Sequence, residues 1–180
     1  MGNGSILAYV VLLSLAVFGL SQAGSYAVSG QNDDGVSISD IPFYRSMNGT
    51  SVSERVTGVT SEDPRIEVSF IEDAIVGNVG NVTNTGTYVE HLLPLDVIRG
   101  SGEGILTSVD NNSMIGWSAY DLGKKSDNGS FIFKGIIFFN ILSPDEGRDN
   151  EFMFLDNQIG VYKSIVESDG GSTREIWALN

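Results

Sequence analysis

From about residue 54 onward the chain alternates apolar and polar residues with period two, and this pattern constrains the fold more than any other feature. In an extended strand successive side chains point to opposite faces. Ile66, Val68 and Phe70 therefore share one face, with Glu67 and Ser69 between them. Ile115, Trp117 and Ala119 repeat the pattern, and Val161, Lys163 and Ile165 share a phase. Polar turn-formers separate these stretches: Asp110-Asn-Asn112, Asp127-Asn-Gly129, Pro144-Asp-Glu-Gly147, Asp156-Asn157 and Asp169-Gly-Gly171. Short strands at such spacing predict an all-β antiparallel meander, closed into a small barrel or folded as a sandwich. The 22 glycines against four prolines are expected mainly at tight turns between strands.

One stretch departs from the alternation. Residues 131–142, from Phe131 to Leu142, are apolar on both faces. Such a strand is covered on one side by the barrel interior and on the other by a helix, a loop or another subunit. An exposed second face there would serve a protein partner or self-association.

The N-terminal end is of another kind. Residues 6–23 form an uninterrupted hydrophobic segment with no charged residue, expected as one helix. Its length suits a signal peptide, with Ser21-Gln22-Ala23 as a passable cleavage site, and it falls just short of the roughly 20 residues that span a bilayer comfortably. The preceding Met-Gly-Asn-Gly-Ser lacks the usual Lys or Arg, so a cleaved signal and a retained membrane anchor both stay open. Either way the remainder is expected outside the cytoplasm, secreted or held at the outer face of the membrane. Residues 24–53 are rich in Ser, Gly, Asn and Asp and read as a linker with one apolar patch, Ile41-Pro-Phe-Tyr44. Residues 54–180 are the β domain.

Composition excludes several functions. The net charge is −13, and all of it lies after residue 23, where only four lysines and six arginines are scattered. Such a surface repels nucleic acid and anionic lipid. The chain has no cysteine, which removes disulfides, zinc–thiolate sites, iron–sulfur clusters and thiol nucleophiles.

The order Thr57-Gly58, Pro64-Arg-Ile-Glu-Val-Ser-Phe70, Thr85-Gly-Thr-Tyr88, Gly100-Ser-Gly-Glu-Gly104, Phe133-Lys-Gly135, Phe154-Leu-Asp-Asn157, Gly160-Val-Tyr162 and Ile176-Trp177 resembles a group of small uncharacterised prokaryotic proteins, common in archaea. Their architecture is similar to the allene oxide cyclase and dirigent β-barrels. The resemblance covers residues 54–179 and implies a closed barrel without an established activity. Lys134, Val89 and Ala178 depart from the pattern, where the group carries arginine, tryptophan and an acidic residue.

The residues nominate few sites. His91 is the only histidine, which cannot build a histidine metal site, and no triad order surrounds it. Gly100-Ser-Gly-Glu-Gly104 runs into Ile105-Leu-Thr-Ser-Val109, which reads as strand, so it is no phosphate loop. Asp145, Glu146, Asp149 and Glu151 fit a solvated loop better than a calcium site. Lys134 interrupts an apolar strand, and a buried ammonium needs a partner. Glu67 is the expected partner, with Tyr88 near by topology; with Trp117 these make the ligand-binding candidates of an apolar lumen. Asn48, Asn81, Asn111 and Asn128 head N-glycosylation sequons expected on turns. No catalytic residue, metal site or cofactor is assigned. The sequence thus points to an extracytoplasmic barrel acting as a non-enzymatic binding or interaction module, an accessory subunit of a membrane or cell-surface assembly being one form of this. The alternative is an isomerase or cyclase working on a small apolar substrate in the lumen.

Overall fold

The computed structural model describes residues 35–60, 64–110, 113–142 and 150–180. Eight strands follow one another: β1 (Tyr44–Val59), β2 (Pro64–Val76), β3 (Gly80–Leu93), β4 (Val97–Ser108), β5 (Met114–Lys125), β6 (Phe131–Asn140), β7 (Ile159–Val166) and β8 (Ser172–Ala178). Each pairs antiparallel with the next, and β8 returns to β1 through Tyr44↔Ile176, Arg45↔Glu175 and Gly49↔Ser172. The result is a closed barrel rather than a sandwich. Closure leaves no sheet edge for a further strand to extend.

β1 is the longest strand and the most irregular, with register shifts at Ser46/Asn48, Ser51/Ser53 and Val56/Gly58. Each extra residue bends the strand and tightens its twist, which lets one strand close the sheet on itself. β1 begins at Tyr44, so residues 44–53 are barrel wall and not linker. Composition misled here because polar residues also suit an exposed strand, and Tyr44 itself is fully buried. Two hairpins turn on glycines at positive φ, Gly129 (+89°) and Gly170 (+88°), where any side chain would be strained.

The expected hydrophobic helix at 6–23 and the linker residues 24–34 lie outside the described residues, as do Asn111, Asp145, Glu146 and Asp149. Among the described residues no helix is long and apolar enough to cross a membrane.

Most strand glycines are not at turns. Gly100, Gly102 and Gly104 recur every second residue along β4 and face the lumen. A Cβ on Gly102 would lie 2.7 Å from Cγ of Tyr88, and one on Gly86 or Gly104 would run into the Trp117 indole. These glycines are clearance for rings reaching in from neighbouring strands. Gly100–Gly104, expected to lead into a strand at Ile105, is therefore itself the interior of that strand.

The two ends of the lumen differ. At the end where β2 turns into β3, the core is solid: Tyr44, Val76, Ile115, Phe139, Phe152 and Leu155 are at most 2% exposed. Phe152 and Leu155 come from the β6–β7 connection, around a 3-10 turn at Met153–Leu155. The outer face of β6 presents Ile136 and Phe138, partly exposed, so the described chain does not cover the second apolar face of that strand.

Candidate functional site

Midway along the lumen lies a polar layer made by side chains in the inward phase of their strands. Glu72 on β2 is almost entirely buried, and its Oε1 accepts three hydrogen bonds. Tyr44 Oη donates at 2.5 Å, Asn84 Nδ2 at 2.8 Å and the Arg174 guanidinium at 3.1 Å. Asn84 Oδ1 accepts in turn from the Trp117 indole N–H at 2.9 Å. Burial alone would discharge Arg174, but Glu72 opposite and the tyrosines around it hold the guanidinium charged, above its ordinary range. Its planar group also lies over Phe70 at 4.9 Å, with Tyr162 at 5.7 Å and Tyr88 at 5.8 Å. Tyr44 is pushed well above the usual phenol range by burial and by the Glu72 charge.

Above this layer the lumen opens. Tyr88 and Tyr162 share a hydrogen bond of 3.1 Å, and Tyr162 donates to Asp121 Oδ2 at 2.5 Å. Burial raises the Asp121 pKa, although Tyr162, Arg174 and the Gly100 backbone oppose that shift. Tyr162 is raised strongly by burial and by its Tyr88 and Asp121 neighbours, so it stays a neutral donor. Next to them stands Glu90 on β3. Burial, together with the like charges of Asp121 and Glu54, pushes its carboxyl up to about 7.

Tyr88, Asp121 and Glu90 line a cavity of about 250 Å³ at the end where β3 turns into β4. Its walls are Val68, Phe70, Tyr88, Ile98, Phe131, Phe133 and Val166; its polar lining is Glu54, Glu90, Asp121, Arg174 and four small polar or glycine positions, Ser51, Ser164, Gly170 and Ser172. Depth, apolar walls and a few convergent polar groups are the ordinary attributes of a small-molecule site.

The four ligand-binding candidates from sequence separate. Tyr88 lines this cavity. Trp117 is inside the barrel but buried in the polar layer below it. Glu67 and Lys134 point outward: Glu67 pairs with Arg55 at 2.9 Å, and Lys134 is exposed. The lumenal Lys134–Glu67 pair does not form, because Phe133 and Val68, one residue away on each strand, hold the inward phase. Glu72, Glu90, Asp121, Tyr162 and Arg174 were missed. The available signal was parity, since Glu72 falls in phase with Phe70 and Ala74, and Arg174 with Ile176. Of the sequon asparagines, Asn48 and Asn81 sit exposed on β1 and β3 rather than on turns, and Asn128 is exposed in the β5–β6 turn.

No protein-family model and no curated protein matches the chain. Solved structures do. A conserved protein of unknown function from Rhodopseudomonas palustris aligns with a TM-score of 0.62 at 8% identity, over 80% of this chain and 99% of its own. A protein of unknown function from Clostridium acetobutylicum aligns at 0.61 and 13% identity, over 81% and 99%. A β-barrel-like protein from Acinetobacter baumannii aligns at 0.55 and 13% identity, over 84% and 100%. At such identities the likeness shows the fold: this chain is a small β-barrel like proteins whose functions are themselves unassigned.

Proposed function

We propose that this chain is exported and acts outside the cytoplasm as a non-enzymatic binding module that holds a small molecule in the open half of its barrel. The observation that carries the reading is the contrast within one lumen. One half is filled to the density of a core, while the other keeps about 250 Å³ free among aromatic walls and carboxyl groups. Apolar side chains at the strand ends could have filled that volume; polar, partly uncompensated groups occupy it instead. Export rests on the uncharged apolar segment at 6–23, and the acidic composition of the rest of the chain suits a salty or extracellular setting.

A thermal-shift screen of compounds small enough for the cavity tests the binding role. Hits should raise the melting temperature of the natural chain and lose their effect in Val166→Trp, which fills the mouth. A screen without hits, or hits indifferent to that substitution, would sink the reading. For export, the intact mass of the protein recovered outside the cytoplasm decides between a chain starting at Gly24 and one retaining Met1. The same mass shows whether Asn48, Asn81, Asn111 or Asn128 carries a glycan. Recovery only from the cytoplasm would refute export.

One feature favours the enzymatic alternative. Glu90, with a pKa near 7, stands in the cavity beside the Tyr162–Asp121 pair, an arrangement suited to moving a proton in a cyclase or isomerase. Turnover by the natural chain and its loss in Glu90→Gln would establish that role.

A further inference from the structure

The charges around the cavity do not balance. Arg174 is the cation among its lining residues; its guanidinium is matched at 3.1 Å by Glu72 from the layer beneath, its Nε makes no hydrogen bond, and its charge reaches Asp121 but is not among those acting on Glu90. Asp121 has one oxygen engaged by Tyr162 and its carboxyl set against the Gly100 backbone, while the buried Oδ1 makes no well-formed hydrogen bond. Glu90, from β3, has neither a cation nor a hydrogen bond set against it among the described residues; the charges acting on it are Asp121 from β5 and Glu54 from β1, both of its own sign. A carboxyl held in this way gains free energy from an incoming positive charge, and more than it would in open water because the site is partly desolvated. The walls beside it are Phe70, Tyr88, Phe131 and Phe133, whose faces attract cations and whose area attracts an apolar body.

We propose that the open end of the barrel is a receptor site for a compact organic cation, an ammonium group on an apolar body, with Glu90 as its counter-charge. This deepens the binding role proposed above and rests on it. The ammonium would sit between Glu90 and Asp121, with Glu54 on the rim drawing the cation in, while the apolar body occupies the space between the phenylalanine rings. Its size is bounded by the cavity, about 250 Å³, which suits an amine of one ring rather than a peptide or a polyamine chain. Such a ligand also gives the acidic balance of the chain, net −13, a local use, since the field around the mouth concentrates cations. Protonation of Glu90, raised chiefly by burial, removes the counter-charge, so binding weakens as the pH falls below about 7.

Isothermal titration at pH 8 with a matched panel tests this: one-ring primary amines such as 2-phenylethylamine, their neutral alcohols and their carboxylates. The amines should bind about tenfold or more tighter than either isostere, the scale of one charge-assisted hydrogen bond in a partly desolvated site. Glu90→Gln should bring the amine down to the alcohol while its melting temperature at pH 8 stays equal to or above that of the natural chain. Glu54→Gln should cost less, about two- to fivefold. Alcohols binding as tightly as amines, or amine binding indifferent to Glu90→Gln, would overturn the cation assignment and leave the lumenal binding role standing. A panel in which no member binds would overturn both.

Discussion

The two halves of the lumen are lined by the same strands, all but the bulged β1 keeping one alternating phase, yet they are built to opposite ends. In the closed half the polar atoms face one another: Tyr44, Asn84, Trp117 and Arg174 converge directly or in sequence on Glu72, with Arg174 forming the border to the cavity. In the open half Asp121 and Glu54 both act on Glu90 as like charges around a space. The Glu72 charge is matched by Arg174 within the chain, although Glu72 Oε2 and Arg174 Nε make no hydrogen bond of their own, whereas only like charges act on Glu90, which lowers stability at the mouth.

That contrast breaks most sharply at Arg174. Arg174→Met strands the Glu72 carboxylate in the core, and chemical denaturation should show a loss of about 3–5 kcal/mol. A loss below about 1 kcal/mol would mean that water reaches Glu72 and that the closed half is not closed.

The opposite sign is expected at the mouth. The carboxyls of Glu90 and Asp121 are both raised by burial, so the folded chain binds more protons than the unfolded one. Their favourable contribution is complete below the unfolded pKa and declines as the pH rises through about 7. Melting temperature should therefore fall between pH 4.5 and 8, and Glu90→Gln should flatten that decline. At pH 8 the substitution should stabilise by at most about 3 kcal/mol. An unchanged pH profile would show that Glu90 is solvated and carries no stored repulsion.

A smaller effect tests the packing that separates the halves. Gly102→Ala pushes a methyl into the Tyr88 ring and should cost about 1–3 kcal/mol, together with a change in the near-ultraviolet circular dichroism of the tyrosines. The smallest effect is predicted outside the lumen: Lys134→Ala on the exposed face of β6 should stay within about 0.5 kcal/mol in a denaturation experiment.

Much of this barrel was legible in the chain. The alternation of Ile66, Val68 and Phe70 and of Ile115, Trp117 and Ala119 marked strands and their inner faces, and Tyr88 and Trp117 were rightly placed inside. Parity also held the answer for Glu67 and Lys134, because Glu67 lies between Ile66 and Val68, and Lys134 between Phe133 and Gly135. The misreading came from treating an apolar strand as covered on both faces, when Ile136 and Phe138 share the outer phase of Lys134 and remain partly exposed. The glycines misled for a related reason. Composition reports that glycine is present, and only neighbouring rings reveal that Gly86, Gly102 and Gly104 are there to make room.

What the sequence by itself determined was local: which residues are extended, which faces turn inward, where the chain turns, and that a long apolar segment precedes the domain. These follow from the two-residue repeat of a strand and from turn chemistry, which need no knowledge of distant residues. What only the tertiary structure decided was which inward residues meet. Glu72 and Arg174 stand 102 positions apart, and Asp121 and Tyr162 41 apart. Their meeting depends on the closure of β8 onto β1, the bulges in β1 and the stagger of the strands, none of which leaves a local mark. The side chains that fill one end, Phe152 and Leu155 of the β6–β7 connection among them, are what divided one continuous lumen into a sealed half and an open one.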